Sequence, residues 1–520
     1  MLLKKFTKTK EFRIFLTAFL VYAFYLQMYG SSCMANSQSA LTASIVNEGT
    51  FKVNTYYRTS CDVAYYKSNY YSGQPPGISF LAVPLYAISK PIFYALPENT
   101  INTLYDKLEK YGDKLAVDYW GKKKVLSNYF VGLSKRQILE YVFIAGFILP
   151  IFTTAIITAL SCALFYAFLK RFTNNEKLRI GITMLYAFGT TQFASSTQFF
   201  ERPIAITLMF AAFFILFKIK HNELKPKTSS LFFSGLLAGL SGVFDYFHVF
   251  ASGLLFLYLI SFYVFNHSKT GKWIFRLNKQ KSLAIICFII GILIPVILLG
   301  LYHYAIFDNP LKTSYSHRIV SVSDAAISDI AKLKLPSSET LFHMLEFILY
   351  TPIIVLAYYS TYRALKKKDG YYSDAAAITI FILFTLAYAT ILALAYPVSV
   401  APHFRRHMSP TIPYSMLFLP YMLQGSKSIA KKILIGVGIL SIFTSWVHVQ
   451  QKLDFFNFNT MQFDLLSYFF THGPSSSFLN AFAGVFHLNS LVINLVGLAV
   501  LILLIYFIWK PYLRKTRQSQ

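Results

Sequence analysis

Acidic residues are scarce in this chain: 22 Asp and Glu stand among 520 residues, against 49 Lys and Arg. Charged residues of both signs reach only 14%, well short of the ~25% of a soluble chain. No internal repeat and no low-complexity tract occurs, and no Gly-rich phosphate-cradling loop is present, which argues against direct use of a nucleotide. Period-2 alternation of apolar residues is also missing, which argues against a β-barrel. Cysteine is limited to four residues. Cys162 and Cys287 fall in expected helices, whereas Cys33 and Cys61 share the first long loop, where spacing leaves pairing open.

What the chain has instead is apolar runs, recurring from residue 12 to residue 509. Several exceed the ~18 residues that cross a bilayer as a helix, and helices satisfy their backbone polar groups inside lipid. The expected fold class is an all-α polytopic membrane protein, a single transmembrane domain over 1–520. About twelve spans are expected, near 12–29, 137–168, 179–196, 203–218, 230–246, 247–265, 282–306, 341–362, 374–399, 409–424, 430–449 and 487–509. The first is read as a retained helix, because its apolar part is long for a signal peptide and no small-x-small cleavage site follows closely.

The net charge of +27 invites a nucleic-acid reading, but position explains it better. Most basic residues fall in alternate short segments: 1–13, 170–179, 218–227, 269–281, 363–368, 427–432 and 510–517. The short loops between hold Arg202, Arg405 and Arg406. By the positive-inside rule both termini are cytoplasmic, in an inner or plasma membrane. The first outer loop, 30–136, holds twelve Lys and Arg, but long loops translocate regardless of charge. Its apolar stretch at about 78–96, interrupted by Pro84 and Pro91, is expected to lie at the interface. Outer loops also cover 307–340 and 450–486.

With that orientation the ionisable residues collect outside: Asp62, Glu201 with Arg202, Asp245 and His248, His303, Asp308, His317 and Arg318, then His403, Arg405, Arg406 and His407. Glu346 lies within a span. Ionisable groups near membrane depth are costly and point to function. Arginines bind phosphate bidentately. A carboxylate can deprotonate a hydroxyl or hold a divalent cation. A donor on the outer face would arrive attached to a lipid, since no nucleotide is supplied there.

At these residues the chain resembles the GT-C superfamily of integral-membrane glycosyltransferases, and within it the prokaryotic relatives of protein O-mannosyltransferases and aminoarabinose transferases. The likeness rests on four short motifs. They are residues 39–51 with Asp62 and Tyr-Tyr-Ser-Gly-Gln-Pro-Pro-Gly at 70–77; Phe188-Gly-Thr with Phe199-Phe-Glu-Arg; Phe307-Asp-Asn-Pro-Leu with Tyr315; and Arg406-His-Met-Ser-Pro-Thr-Ile-Pro. Three departures stand out. Asn36 and Gln38 occupy the stretch where relatives commonly carry acids, Glu201-Arg202 replaces a more usual His, and His403-Phe-Arg precedes Arg406.

The resemblance implies a polyprenyl-phosphate sugar donor, an acceptor protein, lipid or glycan, an outer-loop carboxylate as base and, in some members, a divalent metal cation. Asp62 is the expected base, and the metal ligand if there is one, with Glu48 as second candidate. Arg406, Arg405 and Arg202 are the expected donor-phosphate ligands. Asp245, His403, His407 and Arg318 are further pocket candidates. Nucleic acid is not an expected partner. A transporter or flippase, and an inactive scaffold of the same fold, stay open as alternatives.

Overall fold

The computed structural model describes residues 9–27, 33–115, 129–267, 273–275, 278–318, 345, 347–395, 404, 406–424, 428–449 and 476–518. Among these, seven helices are long and apolar enough to cross a membrane: Gly77–Tyr94, Lys135–Leu169, Glu201–Lys220, Lys279–Phe307, Tyr372–Leu392, Ser428–Val449 and Ser490–Leu513. Two shorter apolar helices, Thr228–Phe244 and Phe247–Tyr263, stand beside them. The chain is therefore a multi-pass helical membrane protein.

Local sequence explains where several helices begin. Thr9 caps Lys10–Phe24, Asn175 caps Glu176–Phe188, and Ser134 with Gln137 forms a reciprocal capping box at residue 135. Such side chains satisfy backbone N–H groups that the first helical turn leaves open. The expected spans near 12–29, 137–168, 203–218, 230–246, 247–265, 282–306, 374–399, 430–449 and 487–509 each coincide with a helix.

Other expectations need correction. The tenth expected span, 409–424, is not one helix but three short ones, Ser409–Thr411, Ile412–Met416 and Leu419–Leu423. Pro410, Pro413 and Pro420 fall within this stretch, and each removes a backbone donor and crowds the preceding turn. The span expected at 179–196 stops at Phe188, capped by Gly189, and resumes as Gln192–Ser196. Two short hairpins accompany the helices of this all-α fold. Val63–Tyr66 pairs antiparallel with Asn69–Ser72, and Phe265–His267 with Trp273–Phe275.

The first long loop is also more ordered than its composition suggests. It contains the helices Cys33–Glu48, Gly77–Tyr94 and Glu98–Leu115. The first of these is polar yet buried: Asn36, Ser37, Gln38, Ser39, Thr42 and Ser44 are all shielded. Cys33 and Cys61 are joined in a disulfide, closing the pairing that the sequence left open. The apolar stretch expected at about 78–96 is a helix, Gly77–Tyr94, and by length and composition it belongs among the seven that could cross a membrane rather than only lie at its interface.

Two apolar cores result. One runs through the bundle around Phe165, Phe168, Phe210, Phe213 and Phe217. The other joins the first loop to the bundle through Leu41, Tyr56, Tyr86, Tyr141 and Phe307. Helix Thr228–Phe244 packs directly on Lys279–Phe307 through glycines. A Cβ on Gly235 would stand 2.0 Å from the Phe288 carbonyl oxygen, and one on Gly291 would stand 2.4 Å from that of Phe232. Small residues permit this backbone approach between membrane helices. It fixes the end of Thr228–Phe244, where the polar residues sit. The chain changes from one core to the other there: Phe199, Ile204 and Phe244 belong to the second core, Met209 and Phe247 to the first.

Candidate functional site

Asp62 lies just before the strand Val63–Tyr66, in the turn beside Gly73. The Gly73 N–H donates to the Asp62 carbonyl, and a Cβ at residue 73 would stand 2.3 Å from Asp62 Oδ1. Only glycine fits there without moving the carboxylate. Arg318 is held against the same strand by an antiparallel bridge to Ala64. Its Nε lies 3.0 Å from Asp62 Oδ1, its Nη2 donates to the Gly73 carbonyl at 2.8 Å, and its guanidinium stands 4.1 Å over the Tyr315 ring. Gln74 Nε2 donates to Asp62 Oδ2. Both Asp62 oxygens are thereby engaged.

A second group forms where Glu201–Lys220 begins and where Thr228–Phe244 gives way to Phe247–Tyr263. Gln38 Nε2 donates to Glu201 Oε2 at 2.6 Å. Arg202 Nε lies 2.8 Å from Asp245 Oδ2, and His248 Nδ1 lies 3.8 Å from the same oxygen. The Phe247 N–H donates to Asp245 Oδ1 at 3.3 Å. Gln38 pairs with Glu201, and Arg202, the next residue on that helix, pairs with Asp245, which faces His248; each of the five is at most 4% exposed. Yet Gln38 Oε1, Arg202 Nη1 and both ring nitrogens of His248 have no hydrogen-bond partner. A buried polar atom left without a partner costs about 1–3 kcal/mol, so four in one buried group call for an explanation.

Arg406 joins this group. It is partly buried, and its Nη1 approaches Met34 Sδ at 2.6 Å. Burial first, then the neighbouring charge of Arg202, bring its guanidinium down to about 10. Tyr315, Glu201 and Arg318 act on it in the same field. Tyr315 is half-buried among them, and desolvation holds its hydroxyl above the usual phenol range. Tyr246 lies 5.3 Å from the Tyr315 ring, and its hydroxyl is 3.0 Å from His303 Nε2.

The expected residues divide accordingly. Arg202, Asp245, Arg318, Arg406 and Asp62 gather at this end of the bundle. His407 is buried nearby, its ring 5.3 Å from that of Tyr388. Glu48 does not join them. It is exposed at the far end of Cys33–Glu48, ten residues and ~15 Å of helix beyond Gln38. Arg405, His403 and Glu346 lie outside the described residues, as do most of the expected loops 307–340 and 450–486. Two members escaped the sequence-based list of site residues. Gln38 reads as one more small polar residue in its segment, and His248 stands at the head of an apolar helix.

The opposite end of the bundle holds a separate network. Buried Asp374 accepts from Lys220 at 2.7 Å, lies 2.9 Å from His221 Nε2, and accepts from the Tyr258 hydroxyl at 2.6 Å. It ties three helices together, and its oxygens are satisfied.

Among the described residues, no three His, Cys, Asp or Glu side chains stand together. Asp62 has the Arg318 guanidinium where a cation would sit. No family model matches the chain, and no curated protein is significantly similar to it.

Proposed function

We propose that this protein is a GT-C-like glycosyltransferase that moves a sugar from a polyprenyl-phosphate donor to an acceptor outside the cytoplasm. It would cross the membrane about twelve times with both termini in the cytoplasm. The observation that carries this reading is the buried polar group of Gln38, Glu201, Arg202, Asp245 and His248, with donors and acceptors left open. A guanidinium edge at Arg202, with Arg406 beside it, suits a phosphate. The open Gln38 carbonyl suits a hydroxyl. A ligand with an anionic group beside hydroxyls answers both, and a lipid-linked sugar phosphate is such a ligand.

The Cys33–Cys61 disulfide supports the orientation, because disulfides persist in oxidising compartments. Asp62, engaged by Arg318 and Gln74, is placed to anchor Arg318 beside this group. The acceptor would be a protein, lipid or glycan hydroxyl. The test is loss of radiolabelled sugar from a panel of polyprenyl-phosphate donors, with purified protein in lipid. Turnover that Arg202→Gln abolishes in folded protein supports the reading. Absence of turnover on every donor tells against it.

A further inference from the structure

We propose that the lateral cavity between Glu201–Lys220, Phe247–Tyr263 and Tyr372–Ala395 binds one acyl chain of an anionic phospholipid, drawn from the leaflet at the Asp374 end of the bundle. This site is separate from the buried polar group and does not depend on the transferase reading.

The cavity has about 400 Å³ of open space, within the ~300–1,000 Å³ of small-molecule sites. Its floor is buried: Met209 and Phe213 from the first helix, Tyr258 from the second, and Tyr414. Its rim is half-buried, with Leu254 on one side and Ala377 and Phe381 on the other. The opening therefore faces sideways, between two apolar helices. Apart from the two tyrosine hydroxyls, the side chains that line it carry no nitrogen or oxygen, and the Tyr258 hydroxyl already donates to Asp374. A water needs two to four polar partners, so water is a poor occupant. A hydrocarbon chain of the bilayer gains dispersion contacts there instead.

The end towards Arg202 is closed. Phe247, beside His248, packs on Tyr388 with ring centroids 4.7 Å apart and on Phe384 at 6.0 Å. These rings stand between the cavity and the buried polar group, so a lipid with its phosphate at Arg202 is not the favoured occupant. The other end is basic. Lys220 Nζ stands 4.8 Å over the Tyr258 ring, so the cavity floor ends beside an ammonium. Segment 218–227 carries four Lys and one Glu, a net charge of +3 with His neutral. Segment 363–368, just before Tyr372–Ala395, carries four basic residues and no acid. Asp374 is already engaged by Lys220, His221 and Tyr258, and Glu223 by Arg171, whereas Lys225 and Lys227 are exposed. Basic clusters beside membrane helices attract anionic headgroups.

The site bears on the far end of the same helices. Arg202 stands at the start of Glu201–Lys220, and His248 at the start of Phe247–Tyr263. Phe213 and Tyr258 lie ~15 Å of helix beyond them. Ala251 and Ala377 leave the gap between the two helices. A chain seated there supplies the packing that larger side chains would otherwise give. It holds the helices at one spacing, and by binding the folded state alone it raises stability.

The experiment strips wild type, Ala377→Phe, Leu254→Trp and Leu383→Phe of lipid in detergent. It then adds phosphatidylglycerol or phosphatidylcholine with the same chains, and reads bound lipid by native mass spectrometry and the unfolding temperature. Leu383 is 58% exposed on the helix that carries Ala377, and its variant controls for lipid that only coats the surface. Wild type and Leu383→Phe should keep a bound phosphatidylglycerol and unfold at a higher temperature with it. Preference over phosphatidylcholine should be about ten-fold, and Lys225→Gln with Lys227→Gln should remove it. Ala377→Phe and Leu254→Trp, which narrow the mouth from its two sides, should lose both the bound lipid and the temperature rise. The proposal is overturned if wild type keeps no lipid, if the two mouth variants keep as much as Leu383→Phe, or if phosphatidylcholine binds equally well. Displacement of phosphatidylglycerol from wild type by a polyprenyl phosphate would give the cavity to a donor tail and overturn it too.

Discussion

Arg318 and Asp62, 256 residues apart in sequence, meet with Nε 3.0 Å from Oδ1, and the pair pins the segment after Lys279–Phe307 onto the first loop. Both side chains are less than one-fifth exposed. Removing one partner of such a pair leaves the other without its counter-charge. Arg318→Met and Asp62→Asn should each cost about 1–3 kcal/mol, and the double variant less than their sum. Thermal unfolding of the purified protein measures the cycle. Additive costs would mean that the two side chains act separately.

The Cys33–Cys61 bond should matter for the same region. It spans 28 residues and ties the start of the buried polar helix to the turn that carries Asp62. Loop closure of this size is worth about 2–4 kcal/mol. Cys33→Ser with Cys61→Ser should lower the unfolding temperature, and reductant should lower wild type to the same level. An unchanged temperature in both would contradict this.

Gly235 and Gly291 make a sharper structural claim. A Cβ at residue 235 meets a backbone oxygen at 2.0 Å, which no rotamer change relieves. Gly235→Ala should cost at least the ~1–3 kcal/mol of an overpacked core, and Gly291→Leu more. Recovery of monodisperse protein from detergent reports the effect. Wild-type yield from Gly291→Leu would rule out the close crossing of these helices.

Lys67 and Asp308 form an exposed latch between the hairpin tip and the end of Lys279–Phe307, with Lys67 Nζ 2.6 Å from Asp308 Oδ2. The hydrogen bond to Lys67 holds the Asp308 carboxyl below its usual range, and the same bond holds the Lys67 ammonium above its own. A depressed carboxylate contributes above its unfolded value and is lost as pH falls through the folded one. A raised ammonium contributes below its unfolded value and is lost as pH rises through the folded one. The latch therefore holds at neutral pH and opens below the carboxylate range of about 4 or above the lysine range of about 10. Hydrogen exchange in the hairpin should be flat from pH 5 to pH 9, after correction for intrinsic rate, and Asp308→Asn should raise it throughout.

Much of this fold was legible because apolar runs and basic clusters report helices and loops independently. The failures have local causes. Pro410, Pro413 and Pro420 broke a run whose hydropathy alone reads as continuous. Cys33–Glu48 was invisible because Ser, Asn, Gln and Thr give no apolar period, and only tertiary burial explains the helix. At the site, Arg202, Asp245, Arg318 and Arg406 could be named because charges between apolar runs are conspicuous. Their pairing could not, because Asp62 meets Arg318 and Gln38 meets Glu201 only through contacts far apart in sequence. Glu48 shares a helix with Gln38 but lies at its other end, a separation that helix geometry would have given had the helix been expected.

The most direct test of the account is sugar transfer from a radiolabelled polyprenyl-phosphate donor in lipid vesicles, comparing wild type with Arg202→Gln and Gln38→Leu. The account predicts turnover by wild type, loss of donor binding in Arg202→Gln, and loss of turnover in Gln38→Leu, with all three proteins equally folded. Turnover and binding unchanged in both variants would contradict it, because the open atoms of the buried polar group would then hold no part of the substrate.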